Sequence, residues 1–425
     1  MKYVSYWHDT AQQLSDPPQK NASGRYDVVI IGAGFTGLGA ARKLAKEGLR
    51  IAVFDSGEIG AGGSGRNGGH LNNGISHDFA TAEKQLGTER ASQIYKAYDQ
   101  GIETLERIIL EENINCDFRR SGKLKLASKE THFQSISSNY ERLMNGPDPD
   151  VKLLSKKDLE CEIGSDSFFG GMLQPKSASM HMGKFVIGLA EAAKRHGAEI
   201  YTNKKINGWT KKQSGWCIKT NSEIIESEAI LLATGAYTPM RFNWWRRRMI
   251  SVGSFITATR PLSDQEVNSI MPGRRNCVTS LNVGNYFRIS PDNRLIFGGR
   301  ARFTANANAT SDIQTKDILQ ESLLDIFPQM SGVSLDYMWG GLVGISKDRF
   351  PRAGEHKGIH YVMGYSGHGA QIASHMGEIM ADKIMGHSDR NPFKDIPWKP
   401  IPGYWGYPWF LPLTGMYFNW KDRLS

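Results

Sequence analysis

The stretch YDVVIIGAGFTGLGAARKLAKEGLRIAVFD, residues 26–55, decides the fold of this chain. It opens with a β-branched run at 26–31, which is typical of a strand buried on both faces of a parallel sheet. Glycines follow at once, and helix-forming residues then run from Leu38 to Glu47. A second apolar run ends at Asp55. This order predicts a βαβ unit.

The turn of this unit has the spacing Gly32-x-Gly34-x-x-Gly37, and each glycine has its own task. Gly32 permits a tight turn, Gly34 lets backbone approach a pyrophosphate, and Gly37 lets the helix pack on the strand. The helix N-terminus then favours an anion through its free N–H groups and its dipole. Asp55 ends the next strand, where a carboxylate can bond ribose hydroxyls. The turn therefore predicts a dinucleotide site.

A second glycine-rich segment favours FAD over NAD. Residues 60–70 read GAGGSGRNGGH, and so many glycines let backbone pass close to a large planar ligand. A flexible surface loop is the alternative for this segment. Two more turns with glycine occur at 233–235 (ATG) and 366–369 (SGHG). Close-approach sites at separate strand ends suit one long cofactor that crosses a sheet.

Size and composition restrict the class of protein. A chain of 425 residues with 40% hydrophobic and 22% charged residues is expected to form two domains of an ordinary globular protein. No apolar run approaches the roughly 20 residues that span a bilayer, and the start lacks the apolar core of a signal peptide, so we expect a cytoplasmic protein. Four scattered cysteines predict no metal or redox pair. The basic cluster at 244–248 is too isolated to predict nucleic-acid binding, despite a net charge of +9.

The remaining patterns predict an α/β (α+β) fold, in which a Rossmann-like FAD-binding domain is interleaved with a mainly antiparallel substrate domain. We expect one long helix over 81–112, and we expect the tail to pack on the core, because its prolines oppose an amphipathic helix. A tail that touches a membrane surface is the alternative. The predicted parts are an arm at 1–24, the FAD-binding domain at 25–85, 165–240 and 332–400, the substrate domain at 86–164 and 241–331, and the tail at 401–425.

These motifs resemble the glycine oxidase and D-amino-acid oxidase superfamily of flavoproteins, over nearly the whole chain. The resemblance rests on the βαβ turn, the segment 60–69, ATG at 233–235 and GYSGHG at 364–369. It extends furthest to the gamma-glutamylputrescine oxidases of the superfamily. Further shared segments are Ser5-Tyr6-Trp7, Tyr286-Phe287-Arg288, residues 292–299 and Trp339-Gly340-Gly341.

The resemblance implies roles for individual residues. Backbone near Ile206 would hold the adenine, and the turn at 367–369 would face the pyrimidine end of the flavin. His368 would add positive charge there or only pack in the turn. The residues assigned to FAD are Gly32, Ala33, Gly34, Phe35, Thr36, Gly37, Asp55, Ser56, Gly63, Ser64, Arg66, Asn67, Gly68, Gly69, His70, Ile206, Ala233, Thr234, Gly235, Gly341, Gly344, Gly367, His368, Gly369 and Ala370.

The sequence departs from relatives that link their flavin covalently. Gly341 stands where related sarcosine oxidases carry the linking cysteine, and Arg66 stands where dimethylglycine dehydrogenases carry the linking histidine. The resemblance therefore implies noncovalent FAD. His70 is the alternative attachment point, because close relatives usually end this loop in glutamine.

The implied reaction is the oxidation of a small amine. Hydride passes from the carbon next to the neutral amine to flavin N5, and the resulting imine hydrolyses, with O₂ as the expected acceptor. Tyr286 and Arg288 share one face of their strand and are predicted, with His368, to act at the substrate, although an ordinary surface pair is the alternative. Arg300 and Trp339 are weaker candidates. Other interpretations are a D-amino-acid or secondary-amine dehydrogenase that uses a quinone or another acceptor, and a flavin-binding protein without turnover.

Overall fold

A computed structural model describes residues 1–14, 21–299, 302–305, 309–387 and 389–424. Its helices are α1 (Tyr6–Thr10), α2 (Phe35–Lys46), α3 (Phe79–Leu86), α4 (Thr88–Glu111), α5 (Glu130–Met144), α6 (Met182–Arg195), α7 (Asn243–Arg246), α8 (Asp264–Ile270), α9 (Ala309–Ile326), α10 (Ala373–Ile384) and α11 (Leu411–Leu424). Its strands are β1 (Arg25–Ile31), β2 (Ile51–Phe54), β3 (His70–Leu71), β4 (Lys123–Leu126), β5 (Lys152–Ser155), β6 (Gly170–Gln174), β7 (Ala178–Ser179), β8 (Glu199–Tyr201), β9 (Gly208–Lys211), β10 (Trp216–Lys219), β11 (Ile224–Leu232), β12 (Ile250–Thr259), β13 (Asn276–Thr279), β14 (Asn285–Ile289), β15 (Leu295–Gly299), β16 (Leu335–Ile345), β17 (Arg352–His356) and β18 (Ile359–Met363).

The first sheet is built around the predicted βαβ unit. Its strand order is β17-β18-β11-β1-β2-β8, and β10 and β9 extend it from β11. β1 pairs in parallel with β2 and with β11, while β11 pairs in parallel with β18. Val29 and Ile30 are fully buried because helices cover one face of the sheet and an apolar layer covers the other. The predicted Rossmann-like domain is confirmed.

The second sheet is mainly antiparallel, as predicted, and has the order β16-β12-β15-β14-β13-β4-β6-β5. Only the β13–β4 pair within it runs parallel. β6 pairs with β4 and β5, and β16 pairs with β12, so both belong to this sheet although the predicted ranges placed them in the FAD-binding domain. The predicted α/β (α+β) class is confirmed, while the exact domain boundaries stay a prediction.

Helix α2 lies unusually close to its neighbours. A Cβ on Gly37 would come 1.9 Å from the carbonyl oxygen of Gly32, and a Cβ on Gly377 in α10 would come 2.3 Å from the carbonyl oxygen of Thr36. Only glycine permits such contacts between backbones. They fix the N-terminus of α2 directly above the end of β1.

A buried arginine joins three helices beside this contact. Arg42 on α2 is paired with Glu111 at the end of α4, with Glu112 at 2.6 Å and with Glu378 on α10 at 3.0 Å. Its side chain is 2% exposed, so the three carboxylates satisfy a charge that water cannot reach. The cluster ties the helix of the βαβ unit to the helices that cover it.

One local prediction was wrong. The expected helix over 81–112 is broken into α3 and α4 at Gly87, whose φ of +81° suits glycine and interrupts the helix. The proline-rich part of the tail, residues 398–410, is not helical, as expected, and α11 begins after it, with Pro412 in its first turn, where a helix does not need the missing N–H. Among the described residues, no helix is both long and apolar enough to cross a bilayer.

Candidate active site

A cavity of about 940 Å³ opens at the carboxyl ends of the parallel strands and extends to the second sheet. Ligands of open α/β sheets bind at this edge. Ile206 and Phe242, which pack with the first sheet, and Tyr286 and Lys123, on β14 and β4 of the second sheet, all line the cavity. Of the residues that the sequence assigns to FAD, only Gly37 and Gly69 do not line it. The turns predicted from separate parts of the chain therefore meet in one place.

The first turn presents backbone donors to the cavity. Ala33 to Thr36 line it at the start of α2, where a helix has no intrahelical acceptors for its first N–H groups. The Ala33 and Phe35 N–H groups donate to Asp55 and Ser64, which leaves those of Gly34 and Thr36 as candidate donors to the cavity. Gly32 has a φ of +115°, and a Cβ there would meet the carbonyl oxygen of Ala233 at 2.6 Å. Gly37 packs against β1 instead of lining the cavity, as its predicted role requires. This end of the cavity fits a pyrophosphate.

Asp55 braces the same turn. Its Oδ2 accepts a hydrogen bond from the Ala33 N–H at 2.7 Å, and its Oδ1 accepts one from the Gly57 N–H at 2.9 Å. Burial raises the pKa of this carboxyl, while the two N–H groups partly oppose the rise. Each carboxylate oxygen keeps acceptor capacity for a ribose hydroxyl, because it can accept more than one hydrogen bond. Ser56, the next residue, also lines the cavity.

The glycine-rich segment 60–69 is held in place by its own side chains. Ser64 Oγ accepts a hydrogen bond from the Phe35 N–H at 3.0 Å, which ties the segment to the start of α2. Arg66 donates to the carbonyl oxygens of Ala61 and Gly340, both at 2.9 Å. The predicted donors Ser64 and Arg66 thus shape the wall of the cavity.

The N-terminal arm supports this segment from behind, a role that the sequence did not reveal. Ser5 Oγ donates to the Gly65 carbonyl oxygen and Trp7 Nε1 donates to the Asn67 carbonyl oxygen, both at 2.6 Å. Trp7 is fully buried. A Cβ on Gly65 would lie 2.0 Å from His8 Nε2, so α1 and the glycine-rich segment require each other. The apolar Tyr6-Trp7 pair in a polar arm was the available signal.

Tyr286 and Arg288 share one face of β14 as predicted, but only Tyr286 lines the cavity. Arg288 is 2% exposed and donates to the carbonyl oxygens of Gly68 at 3.3 Å and Met180 at 2.8 Å. Burial lowers its pKa to about 10. Arg288 therefore supports the glycine-rich segment through backbone carbonyls, and its predicted contact with substrate stays a prediction.

The two weaker substrate candidates have different outcomes. Trp339 is fully buried and donates to the Arg66 carbonyl oxygen at 3.2 Å, so it also supports the glycine-rich segment. Arg300 lies outside the described residues.

The turn at 364–370 forms the wall that faces the start of α2. Tyr365 and Thr36 share a hydroxyl–hydroxyl hydrogen bond of 2.7 Å between these two segments. Gly367 has a φ of +87° and Ser366 one of +54°, which direct successive residues of the turn toward the cavity. Gly367, His368, Gly369 and Ala370 all line it.

His368 does not carry positive charge in this turn. Burial, and secondarily the Lys123 ammonium, lowers its pKa to about 3, so the ring is neutral near pH 7. Its Nδ1 is buried without a hydrogen-bond partner among the described residues, as is Nε2 of His70. Buried polar atoms of this kind are normally paired. These two atoms therefore point to a polar molecule as the missing partner in the cavity.

Two lysines at the far end of the cavity were missed by the sequence. Lys123 is buried and donates to the Asn73 carbonyl oxygen at 3.2 Å, while Lys125 is paired with Asp78 at 2.6 Å. Burial, and secondarily the Lys125 charge, lowers the pKa of Lys123 to about 7. The signal was the alternation in the segment KLKL at 123–126, whose two leucines enter the core while both lysines face the cavity.

Replacement of Gly34 by leucine should abolish cofactor binding. A Cβ there lies 2.8 Å from Ser64 Oγ, and the rest of the side chain would occupy the space beside the Ala33–Thr36 donors. We expect purified protein to lose at least about tenfold of its flavin absorbance per polypeptide. Gly208→Leu is the matched control, because nothing lies within 4 Å of a Cβ at that position. A yellow Gly34→Leu protein would contradict this placement of the pyrophosphate.

Comparisons with known proteins agree with this geometry. The family model described as FAD dependent oxidoreductase (DAO) matches residues 27–383. A probable oxidoreductase, OrdL, of Haemophilus influenzae is 30% identical over 91% of this chain and 89% of its own length. The gamma-glutamylputrescine oxidoreductase of Escherichia coli is 29% identical over 99% of this chain and 98% of its own length.

Solved structures show the same fold. Glycine oxidase from Geobacillus kaustophilus superposes with a TM-score of 0.76, over 89% of this chain and 99% of that chain, at 22% identity. The match covers both sheets, and the predicted resemblance is confirmed. The chain belongs to the DAO family of FAD-dependent oxidoreductases.

Proposed function

We propose that this enzyme oxidises the CH–NH bond of a small amine, of the gamma-glutamylputrescine type or another polyamine or secondary amine, with O₂ as the acceptor. The carrying observation is the lining of the cavity, which joins the turns assigned to FAD with a polar group that we call the polar end, namely Tyr286, Lys123 and Asn73. A small polar molecule at that end would lie beside the cofactor. The E. coli relative, which matches over nearly its full length, supports the amine class.

When bound, FAD supplies the two-electron oxidant that accepts hydride from the carbon next to the amine nitrogen, and the released imine reacts with water. The residues of this chain bind, orient and exclude water. The backbone at Ala33–Thr36 would hold the pyrophosphate, and Asp55 would hold the ribose. The backbone of Gly367 to Ala370, which lines the cavity, would stabilise negative charge that develops on the reduced ring.

Neutral side chains suit the amine that must react. His70 and His368 have lowered pKa values, chiefly because of burial, so both rings are uncharged near pH 7. Two carboxylates line the described part of the cavity. Asp78 is paired with Lys125, and Asp55 lies in the turn assigned to the ribose, so neither favours a protonated amine at the substrate. The unprotonated amine needed for hydride transfer is therefore favoured. The proposal needs no dedicated general base.

We infer that the flavin is held without a covalent bond and that the protein works in the cytoplasm. The described cysteines are free thiols, and none of them lines the cavity. Gly341 stands where sarcosine oxidases carry the linking cysteine, so no sulfur is present at that position of the wall. The residue lies against the Arg66 side chain. Acid precipitation of the holoenzyme should release all the flavin into the supernatant. A yellow pellet would instead identify His70 or another residue as an attachment point.

Anaerobic mixing with a panel of amines tests the reaction class. We expect conjugated or secondary amines to bleach the flavin, and subsequent exposure to air to restore its colour with one peroxide per amine oxidised. Bleaching without peroxide would support the alternative of a dehydrogenase that passes electrons to a quinone or another acceptor. A flavin that responds to dithionite but to no amine would overturn the proposal in favour of a binding protein without turnover.

Lys123 should determine whether a carboxylate-bearing amine is preferred. Its ammonium is buried at the polar end, and among the described residues it has one hydrogen-bond partner and no carboxylate partner. Lys123→Met should weaken binding of an amine with a distal carboxylate by about 10–100-fold, the usual effect of losing a charged hydrogen bond. Binding of the same amine without the carboxylate should change less than about twofold. Lys219→Met, at an exposed strand position, is the control.

The pH dependence of the same binding is a second measurement. Burial lowers the pKa of Lys123 to about 7, so its positive charge is present below that pH and is lost above it. The affinity of the unaltered enzyme for the carboxylate-bearing amine, divided by its affinity for the same amine without the carboxylate, should fall as the pH rises from about 6 to about 8. Titration of the amine cancels in this ratio, and Lys123→Met should remove its pH dependence. Equal weakening of both amines by Lys123→Met would refute the assignment.

A further inference from the structure

Two sequence features that have no role in the proposed reaction meet on one surface. Arg246 Nε donates to the Gly406 carbonyl oxygen at 2.9 Å, and Arg248 Nε donates to the Trp398 carbonyl oxygen at 2.8 Å. The Arg247 guanidinium lies 4.3 Å from the centre of the Trp405 ring. The basic cluster around α7 and the aromatic tail are therefore a single structural unit. We call the exposed part of this unit, residues 240–248 and 405–420, the tail surface.

The tail surface exposes an unusual amount of apolar area. Its large apolar side chains range from 54% exposed for Met240 and Tyr417 to 69% exposed for Trp405. Single exposed hydrophobic residues are normal, but a contiguous group marks an interaction site. Met240 joins the group because a Cβ on Gly406 would lie 2.8 Å from its Sδ. The exposed tail residues are Trp405, Tyr407, Trp409, Leu413, Met416, Tyr417 and Trp420.

Helix α11 is anchored by one face and presents the other. Leu411 is buried, and the Asp422 carboxylate accepts hydrogen bonds from the Asn282 amide at 2.7 Å and the Val283 N–H at 2.8 Å. Four of the exposed residues, at 413, 416, 417 and 420, follow the spacing of a single helix face. The outward apolar face is therefore fixed by specific contacts of the inner face.

The charge on this surface has one sign. No aspartate or glutamate occurs between Asp395 and Asp422, and residues 240–248 contain four arginines and no acidic residue. The single carboxylate at the end of the tail, that of Asp422, already accepts three hydrogen bonds from residues 282 and 283. The surface thus combines indole and phenol rings, aliphatic side chains and guanidinium groups.

We propose that the tail surface docks on the anionic face of a lipid bilayer. Trp and Tyr rings favour the headgroup region, Leu and Met side chains favour the acyl boundary below it, and arginines attract anionic headgroups. A second copy of the chain would set four arginines against four arginines, which disfavours self-association. A nucleic acid would stack on the rings but would leave the aliphatic face of α11 in contact with phosphates and water.

Docking would bring the active-site cavity to the membrane. Tyr237 lines the cavity and is exposed beside Met240, and Asn282, which anchors α11, also lines the cavity. Arg241 and Phe418, which belong to the two segments of the tail surface, line the cavity as well, so the tail surface adjoins the cavity. A bilayer-bound enzyme would exchange substrate, product or electron acceptor at the lipid interface.

Vesicle co-sedimentation of the holoenzyme tests the proposal. We expect binding to vesicles of phosphatidylcholine with about one third phosphatidylglycerol, weaker binding to pure phosphatidylcholine, and weakening by salt because headgroup attraction is screened. The triple variant Trp405→Ser, Trp409→Ser, Trp420→Ser should lose at least about tenfold in partitioning, since each exposed indole adds buried area at the interface. Retention of the flavin spectrum shows that the variant is folded.

The control variant is Leu110→Ser with Ile224→Ser, which removes exposed apolar side chains far from the tail in the chain. It should sediment with vesicles as the unaltered protein does. The proposal fails if the unaltered holoenzyme ignores both vesicle types, or if the control loses as much partitioning as the triple variant. Two further outcomes would overturn the proposal. In the first, the unaltered protein is an oligomer without lipid, the triple variant is a monomer, and vesicle binding persists. In the second, the triple variant loses binding to single-stranded RNA while vesicle binding persists.

Discussion

The backbone contact between α2 and β1 is the constraint on which the rest of the site depends. Gly37 brings the helix so close to the Gly32 carbonyl that no other residue type fits at that position. The N-terminus of α2 is thereby fixed at the sheet edge, where residues 33–36 line the cavity. Arg42 holds the same helix to α4 and α10 from its other side. Anion binding by backbone requires this rigidity, because mobile donors lose much of their electrostatic advantage.

A second layer of contacts transmits this geometry to the glycine-rich segment. Ser64 accepts from Phe35, Trp7 donates to Asn67, and Arg288 donates to Gly68. These contacts come from α2, from the N-terminal arm and from the antiparallel sheet. Glycine makes the segment narrow enough for close approach, and the surrounding donors replace the rigidity that glycine lacks. The cavity wall is therefore shared between both sheets and the arm.

Local patterns predicted the cofactor end of the site far better than the substrate end. The turn at 32–37 and the carboxylate at 55 follow from short-range stereochemistry, and the fold confirms where they meet. Residues 286 and 288 show the limit, because strand alternation correctly gives a shared face but does not say what covers each position. The Tyr286 ring packs against the backbone of Gly68, whereas Arg288 donates hydrogen bonds to the carbonyl oxygens of Gly68 and Met180. Such contacts join segments over a hundred residues apart, and no periodicity encodes them.

Burial also determines which of two basic groups in the cavity, His368 and Lys123, can carry positive charge near neutral pH. It lowers the pKa of His368 to about 3 and that of Lys123 to about 7, so of these two groups only the lysine changes its charge near neutral pH. Lys125 remains paired with Asp78 and contributes to this difference by repelling a second charge. An anionic group that entered the polar end would raise the pKa of Lys123 and recover the charge that burial suppresses. Positive charge is thus available at the polar end of the cavity, while the turn at 367–370 offers only neutral donors.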